Sequence, residues 1–567
     1  MCLNISGVII TMCGISFYYG VNPKPYSLFI NSRRGSDSSK VINLSDMKIW
    51  MAFHRLAING IGSDGDQPML KHGCYLICNG EIYNHKQLEE ENGFEMMSRS
   101  DCEVILDLHR KYYDPSDPSS VGKYIPMLTG VFSFVVVDTL HNSIIVSRDR
   151  FGVRPLYEAI VMDDENPVIV KSIILSSLQK GVSTKYSSIV RQFQPGSYYC
   201  IQDDYLFSGI WYSLDDTLMS KTITDNSYDN YKEIIRNALI TSVRRRLMSE
   251  RPIGCLLSGG VDSSLITSLV VREYVNNGGK ASDIHTFSIG MTGSPDVKFA
   301  DKVAKHLGTT HHYWEYTEAE FLRAIPDVVQ AIETYDITTI RASVGNWLIG
   351  KNIREHTDIR VVFNGDGADE VCGGYAYLHN APTPLEFDNE CRRLVKNIHY
   401  YDVLRSDRSI ADNDLEPRTP FLDHDFVETY MSVPVDIRWT KPMSKTFLRD
   451  AFSGMDLLPE EVLWRPKEAF SDGVSSSMKR TWGDVIKEYA SSWNPPQVYS
   501  FMASQMPENL REIATSENVW YSTLFMRYFG KSYQVIPGYW MPKWTDVKDP
   551  SARSLNCYEI SNTRDEQ

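Results

Sequence analysis

The sequence predicts two joined fold classes: an α+β domain built on antiparallel sheet, then an α/β domain built on a doubly wound parallel sheet. Three observations carry this. The chain has 567 residues, more than one hydrophobic core ordinarily serves. Up to about residue 212 it runs as short apolar or alternating segments broken by Gly, Asn and Asp, the pattern of antiparallel strands. From about residue 228, strand-like runs alternate with segments of helical spacing, the pattern of a parallel sheet.

In the first half "YLICNGEIYN", "VFSFVVVD", "SIIVSRDRFG" and "SYYCIQ" are the clearest strands, with Cys74 and Cys78 along the first of them. The stretch "DDTLMSKTITDNS" (215–227) is polar and weakly periodic and reads as linker. "YDNYKEIIRNALITSVRRRLM" then carries apolar residues at helical spacing. "IGCLL", with Cys255, is a strand, and "SSLITSLVVREYV" a helix stopped by "NNGG". "IHTFSIGM" is a strand, "DVKFADKVAKHLG" a helix and "IRVVFNG" a buried strand. Ligands of such sheets bind beyond the carboxyl ends of the strands, where every sharp motif of this half lies.

Hydrophobic residues make up 42% and charged residues 23%, ordinary for a soluble globular protein. The net charge of −14 leaves no broad basic face, so no nucleic-acid or membrane partner is expected. No apolar run reaches the roughly 18–20 residues of a membrane span. The first twelve residues lack the basic start and small-residue cleavage site of a secretory signal. Ten cysteines form no C-x-x-C pair and no regular framework, so reduced thiols and a cytoplasmic location are expected.

"LLSGGVDSS" (256–264) joins a strand to a helix. Gly259 and Gly260 let backbone N–H groups approach an anion, and the helix N-terminus adds its positive dipole end. Ser258, Ser263 and Ser264 offer hydroxyls. Asp262 would repel phosphate directly, so it makes sense as a ligand of a bridging Mg²⁺. The loop lacks the Walker A order. "VVFNGDGADEVCGGY" (361–375) packs Asp366, Asp369 and Glu370 among glycines after a buried strand, a setting for magnesium or an amine. "WRPKEAFSDG" (464–473) offers Lys467 as a point charge for phosphate.

Together with "HRLAI", "NGEIYNH", "SDCEVI", "ETYDITTIRAS", "PFLDH" and "MPKWTDVKDPSAR", these motifs stand in an order that resembles the glutamine-hydrolysing asparagine synthetases from Met12 almost to the C-terminus. The resemblance implies an N-terminal nucleophile (Ntn) class II glutamine amidotransferase domain over 13–212 and a linker over 213–227. It implies an ATP pyrophosphatase-type synthetase domain over 228–545 and a tail over 546–567. The implied reaction makes asparagine from aspartate with ATP, using ammonia from glutamine, through a β-aspartyl-AMP intermediate. Its products are asparagine, glutamate, AMP and pyrophosphate. The family is often homodimeric.

Residue by residue, the resemblance implies Cys13 as nucleophile, with Asn79 and Gly80 as oxyanion hole. Arg55 meets glutamine's α-carboxylate, with Leu56, Ala57, Ile58 and Asn59 around the same substrate. Glu81 and Asp101 stand near its α-ammonium. Leu256, Ile289, Asn364 and Gly365 hold the adenosine part of ATP, and Ser258, Gly259, Gly260, Asp262 and Ser263 its phosphates. Asp262 and Asp369 take Mg²⁺, and Lys467 steadies the departing pyrophosphate. Two departures stand out. The family's Arg-His-Arg-Gly-Pro-Asp is here "NSRRGSDSS", and Asp366 replaces a Glu tied to the adenylate and to ammonia. That carboxylate is one methylene, about 1.5 Å, shorter.

The chemistry also says where the working chain begins. A thiol needs an adjacent base at neutral pH. A free α-amino group on Cys13, with an ordinary pKa of about 7.7–8.0, supplies one on the same residue. Translation from Met12, or processing to Cys13, is therefore expected. A retained twelve-residue head acylates that amine and silences the glutaminase. Gly14 is expected to keep the approach to sulfur open. Two other readings are an adenylating amidotransferase or ligase acting on another carboxylate, and a non-catalytic homologue.

Overall fold

The computed structural model describes residues 13–545 apart from 183–185, 222–226, 295, 442, 467–474, 476–479, 494–495 and 513. The head before Cys13, Lys467 and the 546–567 tail lie outside the described residues.

The N-terminal half forms two six-stranded antiparallel sheets. The strands are β1 (Gly14–Tyr19), β2 (Ser38–Leu44), β3 (Ile49–Arg55), β4 (Met69–Lys71), β5 (Cys74–Ile82) and β6 (Gly130–Asp138). Then come β7 (Ser143–Arg148), β8 (Tyr157–Met162), β9 (Val170–Ser176), β10 (Arg191–Gln192), β11 (Ser197–Gln202) and β12 (Tyr205–Ile210). The orders are β10-β8-β9-β1-β3-β2 and β12-β11-β7-β6-β5-β4. Alternation along the strands puts Ile15, Phe17, Met51 and Phe53 of the first sheet against Ile77, Val135 and Val146 of the second, all fully or almost fully buried. The other face of the second sheet is covered by the helix Val104–Tyr112, whose Val104, Ile105 and Leu108 are fully buried.

The C-terminal half holds a five-stranded sheet of β13 (Ile253–Leu256), β14 (His285–Met291), β15 (Thr310–Tyr316), β16 (Val361–Phe363) and β17 (Glu416–Arg418). Its order is β15-β14-β13-β16-β17 and every pairing is parallel. After β13 the chain adds strands on one side and then returns to add β16 and β17 on the other. The switch point therefore lies between β13 and β16, which opens a crevice at their carboxyl ends. The helices Tyr228–Arg245, Val261–Asn276 and Asp296–Leu307 fall where the apolar spacing predicts them.

The segment read as a linker contains one element that its weak periodicity does not predict. Leu214–Ser220 is a helix. Ser213 caps it, its hydroxyl accepting from the Asp216 N–H at 3.4 Å. Leu214 and Leu218, one turn apart, are buried. Two leucines among acids give too weak a period to read from sequence. No helix of the described residues is long and apolar enough to cross a membrane.

Candidate active site

Cys13 stands half-buried at the head of β1. Because β1 and β3 pair antiparallel with Gly14 opposite His54, the end of β3 delivers Leu56 to the thiol. The sulfur lies 3.4 Å from both the Leu56 nitrogen and the Leu56 carbonyl oxygen. Burial pushes the thiol up to about 12. The Leu56 N–H pulls it back, Glu416 and Glu81 push it further up, and Arg55 opposes them. Such a thiol is neutral at pH 7 and needs a base before it can attack. Gly14 has a steric reason beyond access: a Cβ there would come 2.8 Å from Asn31 Cβ.

Asn79 and Gly80 lie side by side on β5, opposite Ser133 and Phe132. The buried Asn79 amide makes one long contact, Nδ2 to Ser177 Oγ at 3.5 Å, and its Oδ1 has no partner. Ser177 Oγ also accepts from the Ile15 N–H at 3.0 Å, which ties Asn79 to the chain just beyond Cys13. A Cβ on Gly80 would fall 2.1 Å from the Val131 carbonyl oxygen, so only glycine fits the ladder there.

Glu81 Oε2 accepts from Asn59 Nδ2 at 2.6 Å, and Asp101 Oδ2 from the Ile82 N–H at 2.6 Å. Both carboxyls are pushed up. For Glu81 the causes are burial, then Asp101 and Glu416, against Arg418 and Arg154. For Asp101 the cause is again burial, against the Ile82 N–H and His85. A cation entering beside them is favoured by both. Arg55 is committed to its own loop: it donates to Gly62 O at 2.7 Å, Asp66 Oδ1 at 2.9 Å, Asn59 O at 3.2 Å and the Gly60 carbonyl. Ala57 N–H donates to Asp37 at 2.7 Å, and the Ile58 carbonyl accepts from Glu250 at 3.0 Å.

At the switch point a cavity of about 270 Å³ is lined by Leu256, Ser258, Gly260, Asp262, Ser263, Ile289, Asn364, Gly365, Asp366 and Asp369. The sequence-predicted ATP residues thus converge, with Gly259 shaping the wall from behind. Gly259 has φ +77°, and a Cβ there would come 2.7 Å from Ala300 N. The Ser258 N–H donates to Ser263 Oγ at 3.1 Å, and the two hydroxyls are 2.9 Å apart. The helix Val261–Asn276 starts at Gly260 and aims its N-terminus into this loop.

Acids and cations pair across the cavity. Asp366 accepts from Arg405 at 2.6 Å and from Asn364 Nδ2 at 2.7 Å, and Arg405 also holds Asp402 at 2.5 Å. Asp262 and Asp369 converge on Lys445 Nζ at 2.7 and 2.5 Å. Two carboxylates gathered on one cation make an oxygen donor set of the kind Mg²⁺ takes. Glu370 accepts from the Tyr375 hydroxyl at 2.5 Å, and its carboxyl is pushed well up by burial and then by Asp402 and Asp369.

One helix, Asp402–Ala411, lines the nucleotide-type cavity through Asp402 and Arg405 and is linked to Cys13 through Arg34. Arg405 on it grips Asp366. Asp407, two residues on, accepts from Arg34 at 2.8 Å, and Arg34 Nε donates to the Cys13 carbonyl at 3.1 Å.

A family profile described as asparagine synthase matches residues 234–387 and 380–535, and one described as glutamine amidotransferase domain matches 12–207. A glutamine-hydrolyzing asparagine synthetase of Gallus gallus is 37% identical over 97% of this chain and 99% of that protein. This chain belongs to the asparagine synthetase family. Its Mus musculus relative of the same name is 37% identical and its Homo sapiens relative 36%, each over 97% of this chain and 99% of that protein.

Several groups of this asparagine synthetase family site escape a reading by motif. Lys445 and Arg405 sit in "MSKTFLR" and "YDVLRSD", runs with no glycine, no acid–glycine alternation and no preceding strand to mark them. Arg465 donates to the Gly259 carbonyl at 3.1 Å and pairs with Asp296 at 2.7 Å, only two residues before Lys467. The one signal that could have found them is charge balance, since buried acids in a loop demand cations from elsewhere.

Proposed function

We propose that this chain makes asparagine from aspartate, glutamine and ATP. The observation that carries the reading is the helix Asp402–Ala411, which joins a buried-thiol pocket to a nucleotide-type cavity in one chain. In the working form Cys13 is the first residue. Its α-amine takes the thiol proton, the sulfur attacks the side-chain carbonyl carbon of glutamine, and ammonia leaves with that proton. Water then cleaves the thioester to glutamate.

Asn79 Nδ2 and the Gly80 N–H receive the oxyanion. Glu81 and Asp101 gain the α-ammonium as counter-charge, and Arg55 exchanges Asp66 for the α-carboxylate. In the second cavity the Ser258–Ser263 loop receives the phosphates of ATP, and the side-chain carboxylate of aspartate displaces pyrophosphate at the α-phosphorus. Asp262 and Asp369 would hold Mg²⁺, which supplies charge neutralisation for the phosphates when bound. Asp366, Arg405 and Asp402 orient the adenylate for attack by ammonia. Ammonia travels inside the protein, since in bulk water it is mostly protonated. The proposed division is 13–212 for the glutaminase and 228–545 for the synthetase. Eight free thiols among the described residues support a cytoplasmic location.

Cys13→Ala tests the reading. Asparagine formation from glutamine should vanish while formation from added ammonium persists. Equal loss of both overturns the assignment of roles.

A further inference from the structure

A second cluster of metal-type ligands lies in the N-terminal half, away from both pockets. Cys74 opens β5 and Asp138 closes β6, and the ladder sets them directly opposite each other. His109 comes from the last turn of the helix Val104–Tyr112. One ligand atom from each of the three lies within 4.8 Å of the others, and all three residues are buried. Asn79 is five residues along the same strand, so the cluster sits about 17 Å from the oxyanion residues.

The donors are already oriented. His109 Nε2 is 3.2 Å from Asp138 Oδ2, while its Nδ1 meets the Tyr124 hydroxyl at 3.1 Å. Asp138 Oδ1 accepts from the Leu140 N–H at 2.9 Å and the His141 N–H at 3.2 Å. That turn fixes the carboxylate and aims Oδ2 at the cluster, where His141 Nδ1 reaches it at 2.7 Å. An ion pair between Asp138 and two histidines explains three of these groups. The Cys74 thiol buried at the same point takes no part in that pair and makes a long contact, donating to the His72 carbonyl at 3.8 Å.

We propose that Cys74, His109 and Asp138 form a Zn²⁺ site in the glutaminase half. Thiolate, imidazole and carboxylate together suit zinc, whereas Mg²⁺ and Ca²⁺ take oxygen alone. Three protein ligands leave a fourth position for water, and His141, 31% exposed, flanks it as the route of entry. The Tyr124 hydroxyl on the far ring nitrogen holds His109 in orientation. On binding, a Zn–S bond forms and the thiol proton leaves to solvent. The ion would pin the β5–β6 hairpin end to the helix above it. This inference does not depend on the proposed reaction.

The full-length protein, stripped with a chelator, is reloaded with Zn²⁺ or Co²⁺ and desalted. One Zn²⁺ per chain should be retained, with a rise in melting temperature. Co²⁺ should give a thiolate charge-transfer band beside its ligand-field bands. Cys74→Ser should abolish that band, and His109→Gln should weaken Zn²⁺ binding more than about tenfold. Cys200→Ser and Cys13→Ala should keep full stoichiometry. The Co²⁺ spectrum of folded Cys74→Ser decides the matter even where His109→Gln disturbs the core. Absence of retained Zn²⁺ in the reloaded wild type, or equal retention by Cys74→Ser, overturns the proposal.

Discussion

The Lys445 ammonium lies 2.7 Å from both carboxylate oxygens of Asp262 and also binds Asp369 at 2.5 Å. Its side chain is 1% exposed and reaches the pair from a left-handed backbone, φ +60°. Removing this cation leaves two carboxylates facing each other, each less than a fifth exposed. Lys445→Met should lower the unfolding free energy by about 3 kcal/mol, the scale for stripping one partner from a buried pair. The urea midpoint of the nucleotide-free protein measures it. Added Mg²⁺ should recover part of the loss by restoring the positive charge. A midpoint equal to wild type removes Lys445 from this role.

Asp366 is gripped by Arg405 and Asn364, so its shorter side chain is held rather than floating. Asp366→Asn keeps the shape and deletes the charge that orients Arg405. Aspartate-dependent pyrophosphate release should fall about a hundredfold, the cost of misplacing a reacting group by an ångström or so. Glutamine hydrolysis should be unchanged. An equal drop in both activities would mean the substitution acts through the fold and not through the adenylate.

The centre of the parallel half is legible from sequence because β13, β14 and β16 are mainly apolar runs with the ligand loops close behind them, whereas β15, reading THHYWEY, and β17, reading EPR, carry no such signal. That rule points to Ser258, Asp262, Asp366 and Asp369, whereas Asn364 is singled out only by the resemblance. The pairings that complete the site leave no such trace. Lys445 is 183 residues from Asp262, and Arg34 is 373 residues from Asp407. No local spacing encodes contacts of that range; only the demand of a buried acid for a counter-charge points to them. Gly14 illustrates a different limit, since its need for a bare Cα comes from Asn31 packing against it, which a strand pattern does not contain.

The Cys13 thiol, pushed up to about 12 chiefly by burial, sets a pH prediction. The raised value favours the neutral thiol at every pH below it. In protein that retains residues 1–12, alkylation of Cys13 by iodoacetamide should be slow at neutral pH and climb through about pH 9 without a plateau. Protein that begins at Cys13 should hydrolyse glutamine with a rising limb centred near about pH 8, where the α-amine loses its proton and becomes a base. Intact mass distinguishes the two forms. Brisk hydrolysis by the longer form would require a different base.

Asp407 and Arg34 lock the two halves beneath Cys13. Arg34 donates to Asp407 at 2.8 and 3.2 Å, Arg154 stands 3.4 Å away, and all three side chains are buried. Burial pushes the Asp407 carboxyl up, but Arg34 and Arg408 outweigh it and hold it below the ordinary carboxylate range. The folded value therefore lies under the unfolded one. The stability this pair contributes is fully present above the unfolded carboxylate value of about 3.9 and is lost as pH falls through the depressed folded value. Asp407→Asn strips the acid shared by three buried arginines, Arg34, Arg154 and Arg408, of which Arg154 keeps Glu416 and Arg408 keeps Glu333, and should cost about 3–5 kcal/mol at neutral pH. The gap between variant and wild type should narrow as pH falls from about 4 through the depressed folded value. Because Arg34 also holds the Cys13 carbonyl, glutamine-dependent synthesis should suffer more than ammonium-dependent synthesis. A deficit that stays constant across that pH range would mean the stabilisation comes from packing around residue 407 and not from its charge.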